Sequence, residues 1–255
     1  MSEDIFQWMQ WAMCVLALIV FVCLFFINAG YGQFRSRKWG WSINNMLAWT
    51  MMEAPVFIVM LCIWRTSGWS LHIPELILLL LFLLHYFQRS FIFPFLMTGK
   101  SKMPVAIMLM GITFNIINGV MQGGGLYWFP NPEFQEGADY LLRFNSIVGI
   151  ALFFIGFAIN LHSDHVIRNL RKPGDTRHYL PQKGMYRYVT SANYLGEIVE
   201  WVGFALFAST TVAWVFPLWT ASNLVPRAHS LHKHYRTEFG EKAVGGRKRI
   251  FPFLY

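Results

Sequence analysis

The sequence predicts an all-α integral membrane protein that crosses the bilayer several times, and both its composition and its apolar runs support this class. Of 255 residues, 55% are hydrophobic and 13% are charged, whereas a soluble domain carries about 25% charged residues. A spanning helix needs roughly 20 mostly apolar residues. Seven stretches qualify as transmembrane helices, at about 7–28, 45–64, 75–97, 105–122, 145–161, 193–208 and 211–226. We therefore expect one polytopic, membrane-embedded domain over residues 1–255.

The basic residues predict the orientation of these helices. The formal net charge is +8, with 21 Lys and Arg residues. All of them except Arg65, Arg89 and Arg143 fall on one side, in the segments 35–38, 100–102, 168–187 and 227–249. The positive-inside rule then places the N-terminus outside and the tail 227–255 in the cytoplasm. We expect a monomer in a bacterial inner membrane or the endoplasmic reticulum, with no nucleic-acid partner.

Several common functional motifs are missing from the sequence. The three cysteines lie inside apolar spans, without the CxxC spacing that redox or zinc sites use. Two histidine groups, within 162–165 and 229–234, are interleaved with Lys and Arg or flanked by them, so no metal site is predicted. There is neither a GxGxxG nor a GxxxxGK[ST] sequence. A nucleotide would therefore have to be bound by helix faces.

Polar side chains recur at helical spacing near the predicted cytoplasmic ends of the spans. Polar groups inside a membrane often mark a functional site, although single ones also hold helices together. The groups are Asn160, Asp164, Arg168 and Arg171 on one face of a helix leaving span five; Asn193, Glu197 and Glu200 before Trp201 on span six; Asn115, Asn118 and Gln122 on span four; His85 and Arg89 on span three; and Arg227, His232 and Tyr235 in the tail. We expect these groups to converge on one chamber that suits a polyanionic ligand.

Glu53 and Tyr86 stand apart from these groups, because each lies in an otherwise apolar run. A carboxyl in such surroundings is expected to be protonated and to donate a hydrogen bond. Together the two side chains would form an oxyanion-type clamp for a carbonyl oxygen. The alternative is that Glu53 caps a kink near Pro55 or pairs with Arg89.

Six stretches of the sequence carry a resemblance to a known family. They are MMEAPVF at 51–57, HYFQRSFIFPFL at 85–96, NGVMQG at 118–123, NLHSDHVIRNLRKPGD at 160–175, YLPQKGMYRYVTSANYLGEIVEW at 179–201 and RAHSLHKHY at 227–235. Through them the chain resembles the steroid 5-alpha-reductase family, which reduces 3-oxo-delta-4 steroids with NADPH. The resemblance covers most of the chain from span two onward. The chain departs from mammalian members at Gln33, Lys100 and Met110, which bears on the adenosine-end contacts and on steroid preference more than on the chemistry.

The resemblance implies a role for each matched residue. Glu53 and Tyr86 match the pair that binds the steroid 3-oxo group, while hydride from NADPH reaches C5. Trp201 is expected beside the nicotinamide and the steroid, and Trp49 is predicted to line the substrate pocket with it. The predicted NADPH-binding residues are Arg89, as a phosphate contact, with Asn160, Asp164, Arg171, Asn193, Glu197, Arg227, His232 and Tyr235. The expected partners are a steroid, NADPH and membrane lipid.

Two other functions stay open on the sequence. The tail segment 234–240, His-Tyr-Arg-Thr-Glu-Phe-Gly, resembles the signature of isoprenylcysteine and phospholipid methyltransferases. The EAP, HYF and HSD stretches favour the reductase over these enzymes. A transporter would use intramembrane polar residues as a path, but the chain has no inverted repeat and its polar groups gather on one side.

Overall fold

The computed structural model describes residues 1–27, 30, 32–34, 36–97, 101–171, 175 and 177–255, with the backbone alone for Gln33 and Arg37. Arg35, Lys100 and Lys172 of the predicted basic segments lie outside the described residues. The helices are α1 (Glu3–Phe26), α2 (Asn45–Thr66), α3 (Ile73–Phe87), α4 (Phe93–Leu96), α5 (Val105–Tyr127), α6 (Phe144–Arg168), α7 (Ala192–Ala208), α8 (Thr211–Phe239) and α9 (Glu241–Val244). Two short strands, β1 (Ser42–Asn44) and β2 (Lys102–Pro104), pair antiparallel.

Five helical segments of the described chain are long and apolar enough to cross a membrane. They are α1, α2, the unit over Ile73–Leu96, α5 and α6. These segments make the chain a multi-pass membrane protein by length and composition. The sixth and seventh predicted spans correspond to α7, which has 17 residues, and to the first part of α8, which has 29. The seven-span count and the orientation of the termini therefore stay predictions.

The helix bounds differ from the predicted bounds where local side chains cap the backbone. The first helix begins at Glu3 rather than near residue 7, because Ser2 Oγ accepts from Ile5 N (3.4 Å) and two acidic residues occupy the first turn. The helix of span five ends at Arg168, where the Asn169 amide donates to the His165 carbonyl (2.8 Å). Arg171 therefore lies beyond α6, and its predicted place on that helix face is wrong.

The third predicted span is interrupted by a wider turn next to the candidate site. A π-helical turn over Gln88–Ile92 separates α3 from α4 and contains Arg89. Pro94 follows it and lacks the N–H that the Ser90 carbonyl would accept in a regular helix. Single π-turns of this kind occur frequently at functional sites. The turn changes the direction in which Arg89 projects relative to Tyr86, one turn earlier.

Two helix pairs position the polar groups. The β1–β2 pairing, with Ile43 opposite Met103, ties together the starts of α2 and α5. The helices α6 and α7 approach closely at glycines on both helices. A Cβ added at Gly196 would lie 2.5 Å from Asn160 N, and one added at Gly149 would lie 2.6 Å from Phe207 N. Only glycine permits this backbone approach, which brings the polar faces of α6 and α7 together.

Candidate active site

The predicted clamp residues lie on α2 and α3, and both are held from α5. Glu53 is half-buried on α2, and its Oε2 accepts from Asn115 Nδ2 at 3.1 Å. Tyr86 is 3% exposed near the end of α3, and its hydroxyl oxygen accepts from Asn118 Nδ2 at 3.4 Å. Because Asn115 and Asn118 are three residues apart on one helix, they lie on the same face. The clamp residues are thus brought to one face of α5.

Aromatic rings surround Tyr86 on the side away from α5. Its ring stacks on Phe216 of α8 at 6.4 Å and 14° between planes. Trp201 of α7 lies 5.8 Å from the Tyr86 ring and 4.1 Å from the Phe216 ring. Phe82 completes this group at 4.8 Å from Tyr86. The structure therefore places Trp201 next to Tyr86 in a buried aromatic cluster, and its position beside the nicotinamide and the steroid stays a prediction.

A chain of charged and amide groups links α3, α6 and α7. The Arg89 guanidinium is 3.1 Å from Asp164 Oδ2 and 3.7 Å from Glu197 Oε2. Asp164 also accepts from Asn193 Nδ2 (3.4 Å), and the Asn193 carbonyl accepts from Asn160 Nδ2 (3.0 Å). Five predicted cofactor-binding residues therefore form one connected network.

Trp49 joins this network through the guanidinium. Arg89 Cζ lies 4.9 Å from the Trp49 ring and 4.5 Å from the Phe93 ring. Such cation–π contacts are stronger when they are sheltered from water. Trp49, predicted to line the substrate pocket, thus bridges the clamp helix α2 and the polar network.

A buried contact between a histidine and a carboxyl group beside the clamp was not predicted as a pair. His85 Nδ1 lies 2.8 Å from Glu200 Oε1, with side-chain exposures of 4% and 0%. The His85 ring packs on Trp201 at 4.6 Å and on Tyr86 at 5.0 Å. Both residues belong to polar groups identified in the sequence. Their partnership depends on how α3 crosses α7, a tertiary contact that no local pattern encodes.

The tail residues are less closely connected to this network. Arg227 lies over the Tyr194 ring at 5.9 Å, and Tyr235 is 4% exposed. His232 Nδ1 is 3.2 Å from Thr190 Oγ1. Burial, together with nearby Arg249 and Arg236, lowers the pKa of His232 to about 4, so this imidazole is neutral near pH 7. Arg171 is exposed, and it makes no hydrogen bond or ion pair with the network among the described residues.

Beyond α6, a cluster near the end of α8 joins His234, a member of the predicted 229–234 histidine group, to His178 and Glu238. His178, His234 and Glu238 bring their ligand atoms within 4.8 Å of one another and could hold a metal ion. The Glu238 carboxylate lies 3.1 Å from His178 Nδ1 and 2.9 Å from His234 Nε2. In the loop after α6, hydrogen bonds from Arg177 and Tyr179 hold the pKa of the Asp175 carboxyl well below its usual range. These contacts do not involve Glu53 or Tyr86.

Comparisons with known proteins identify the family of the chain. Residues 101–255 match the sequence profile of the family described as 3-oxo-5-alpha-steroid 4-dehydrogenase. The chain is 36% identical over 249 residues to 3-oxo-5-alpha-steroid 4-dehydrogenase 1 of Bos taurus, covering 94% of this chain and 93% of that protein. It is 32% identical over 253 residues to steroid 5-alpha-reductase DET2 of Arabidopsis thaliana, covering 95% of each. The human 3-oxo-5-alpha-steroid 4-dehydrogenase 1 is 34% identical over 264 residues, covering 100% of this chain and 97% of that protein. Since the match extends across the helices that carry the clamp and the polar network, the chain belongs to the 3-oxo-5-alpha-steroid 4-dehydrogenase family of oxidoreductases.

Proposed function

We propose that this protein reduces the delta-4 double bond of 3-oxo-delta-4 steroids to 5-alpha-dihydro steroids with NADPH. One observation carries the proposal: Glu53 and Tyr86 are hydrogen-bonded to neighbouring amides on α5, beside an aromatic cluster and a polar helix network. An enone steroid has the complementary features, since a rigid apolar body carries one carbonyl oxygen. The names of the relatives support the same substrate class.

The chemistry requires stabilisation of charge on the carbonyl oxygen. Adding hydride to the β-carbon of an enone builds negative charge on that oxygen. Tyr86 donates its phenol hydrogen to it, and Glu53 donates its carboxylic hydrogen, so the enolate forms against two fixed donors. The rings of Phe82, Trp201 and Phe216 keep water from these donors, which strengthens the hydrogen bonds. A proton from solvent or a site donor then reaches C4.

The residues of α6 and α7 fit the carboxamide and hydroxyl groups of a nicotinamide cofactor. Ser163 Oγ, Ser191 Oγ and Trp201 Nε1 are buried without hydrogen-bond partners among the described residues. Buried polar atoms without partners are rare, so a ligand that supplies them is favoured. The network of Arg89 with Asp164 and Glu197 holds two carboxylates for one guanidinium. This balance suits neutral hydrogen-bonding groups better than phosphate, so our proposal departs from the phosphate contact that the family resemblance implies for Arg89.

The phosphates fit the basic tail instead. Arg249 Nε is buried without a hydrogen-bond partner among the described residues, and Arg227 and Arg171 lie on the same predicted side of the membrane. Guanidinium groups suit phosphate because they present several donors in one plane. When bound, NADPH supplies the hydride that reduces C5. The protein's part is to orient both molecules and to exclude water.

The proposal includes the orientation that the charges predict. A cofactor from the cytoplasm reaches the network only if the ends of α6 and α8 that carry Asp164 and His232 face the cytoplasm. The single domain 1–255 would then operate as a monomer in a bacterial inner membrane or the endoplasmic reticulum. Protease or thiol-label accessibility of the tail in sealed vesicles tests this orientation.

Product analysis tests the proposed reaction. Purified, detergent-solubilised protein is incubated with progesterone or testosterone and NADPH, with NADH and S-adenosylmethionine as controls. We expect a 5-alpha-dihydro product that depends on NADPH and no methylated product. Absence of reduction across a panel of enone steroids would refute the function.

Two variants test the clamp. Tyr86→Phe keeps the ring and removes the donor, so we expect turnover to fall about 100-fold, as for loss of one oxyanion donor. Glu53→Gln should also impair turnover. NADPH binding, measured by fluorescence titration, should change little in both, because neither side chain belongs to the polar network. Full activity in both variants would remove them from the catalytic role.

A further inference from the structure

We propose that Asn115 and Asn118 are positioning residues that fix where the hydrogens of Glu53 and Tyr86 point. The inference rests on the proposed function, because it concerns the two donors of the clamp. Asn115 and Asn118 are 4% and 3% exposed on α5. Burying an amide without hydrogen-bond partners costs free energy. The partners of these two amides therefore indicate the role of each amide. Both amides donate to a clamp residue.

The orientation of the Asn115 amide follows from its second partner. Asn115 Nδ2 lies 2.7 Å from the Met52 carbonyl oxygen and 3.1 Å from Glu53 Oε2. A backbone carbonyl only accepts, so the atom facing it must be the NH2 group rather than the amide oxygen. The second hydrogen of that group then points to Glu53 Oε2. In a protonated Glu53 the hydrogen is consequently carried on Oε1, free to be donated to a ligand.

Asn118 acts on the phenol in the same way. Its Nδ2 lies 3.4 Å from the Tyr86 hydroxyl oxygen, one helical turn from Asn115. A hydroxyl that accepts a hydrogen bond on its oxygen keeps its own hydrogen for another partner. Accepting a hydrogen bond also polarises the O–H and strengthens it as a donor. The two amides thus leave both clamp hydrogens facing the ligand.

The neighbouring amide shows that this arrangement is specific to two positions. Gln122 continues the same polar face of α5, yet its Nε2 donates to the Val212 carbonyl of α8 at 3.2 Å. That contact joins two helices and does not involve the clamp. Asn115 and Asn118 differ from it because each donates to a side chain that is itself placed to donate. Holding helices together accounts for the contact of Asn115 with the Met52 carbonyl of α2, but not for the hydrogen bonds that both amides donate to the clamp side chains.

A double-mutant cycle separates positioning from packing. Asn118→Leu preserves the side-chain volume approximately and removes the donor, and we expect kcat to fall about tenfold with little change in the steroid KM. In a Tyr86→Phe background the same substitution should have no further effect, because the hydroxyl it acts on is gone. An equal loss in both backgrounds would show a packing role and overturn the inference.

An isosteric carboxyl provides a readout that packing does not predict. In Asn118→Asp, the carboxyl accepts the Tyr86 hydrogen once raised pH has ionised it, and it then turns that hydrogen away from the ligand, so at high pH kcat should fall below that of Asn118→Leu. Protonation at lower pH restores a donor, so kcat should recover as the pH falls, a titration that Asn118→Leu lacks. The charged and titratable groups around Tyr86 are Glu53, Glu197, Glu200, His85 and Arg89, and all are unchanged in both variants.

The controls keep the result interpretable. Asn145→Asp makes the same chemical change at the start of α6, the end of that helix opposite to Asp164. There Asn145 Nδ2 donates to Ser209 Oγ at 2.5 Å. The kcat of this control variant should match the wild type. If Asn118→Leu does not fold, Asn118→Ser is used, since its short hydroxyl does not reach Tyr86. Wild-type kcat in both Asn118 variants, with Tyr86→Phe impaired, overturns this inference alone. A fully active Tyr86→Phe overturns the proposed clamp itself.

Discussion

Replacing Gly196 by alanine should damage cofactor binding through the spacing of two helices. The added Cβ would lie 2.5 Å from Asn160 N and 2.7 Å from the Gly156 carbonyl oxygen. An ordinary carbon contact is about 3.5 Å, so α6 and α7 must separate by about 1 Å. The bond from Asn160 Nδ2 to the Asn193 carbonyl is 3.0 Å long. It would lengthen to about 4 Å, beyond hydrogen-bond range.

The size of the effect follows from the groups that are displaced. Overpacking of a tight contact costs about 1–3 kcal/mol of stability. If Asn160 and Asn193 bind the cofactor as proposed, misplacing their amides removes about two hydrogen bonds to it, each contributing about 1 kcal/mol. Cofactor affinity should then fall about 30-fold. The assay is fluorescence titration of purified Gly196→Ala with NADPH, alongside its thermal unfolding midpoint.

Gly203→Ala is the matched control for this prediction. A Cβ there would lie 2.6 Å from the Gly149 carbonyl oxygen, so the same two helices are forced apart. The position is two turns along α7, about 10 Å from Gly196. We expect a similar loss of thermal stability and less than about a threefold change in cofactor affinity. Equal losses of affinity at both positions would refute the argument that helix spacing at Asn160 sets the cofactor site.

Two further predictions concern the polar network and the tail. Asp164→Asn should weaken NADPH binding about tenfold, because Arg89 and Asn193 lose their shared anionic partner; an unchanged dissociation constant in the titration would contradict this. His232 is neutral in the fold because its pKa is lowered to about 4, whereas an unfolded histidine takes up a proton near its usual pKa of 6.5. Its contribution to stability is therefore present above about pH 6.5 and is lost as the pH falls toward 4. Thermal midpoints from pH 7.5 to 4.5 should fall less in His232→Asn than in the wild type, and parallel curves would exclude the effect.

The helical class and the candidate clamp residues were predictable because they depend on local patterns, and the role of the clamp stays a proposal. Apolar runs of spanning length and isolated polar residues at helical spacing are visible in one dimension, and Glu53 stood out because nothing around it is polar. The polar face of α5 was also visible in the sequence. The different partners of its amides were not visible in the sequence. Asn115 and Asn118 donate to Glu53 and Tyr86, whereas Gln122 donates to the Val212 carbonyl of α8.

The contacts that the sequence did not predict depend on helix crossings, on the end of α6 and on the loop that follows it. The pairing of His85 with Glu200 requires the crossing of α3 and α7, and residues 115 positions apart carry no mutual signal. The prediction that Arg171 lies on the polar face of α6 was wrong, because the helix ends at Arg168, before this residue. The His178, His234 and Glu238 cluster forms only when the loop after α6 folds onto α8.

Isotope transfer tests the central claim most directly. Purified protein is given a 3-oxo-delta-4 steroid with NADPH deuterated at the transferable C4 position, and the product is analysed by mass spectrometry and NMR. The account predicts one deuterium at C5 in the 5-alpha configuration and one solvent-derived hydrogen at C4. Tyr86→Phe should show about 100-fold slower transfer with NADPH binding retained. No deuterated product, or deuterium at another carbon, would contradict the account.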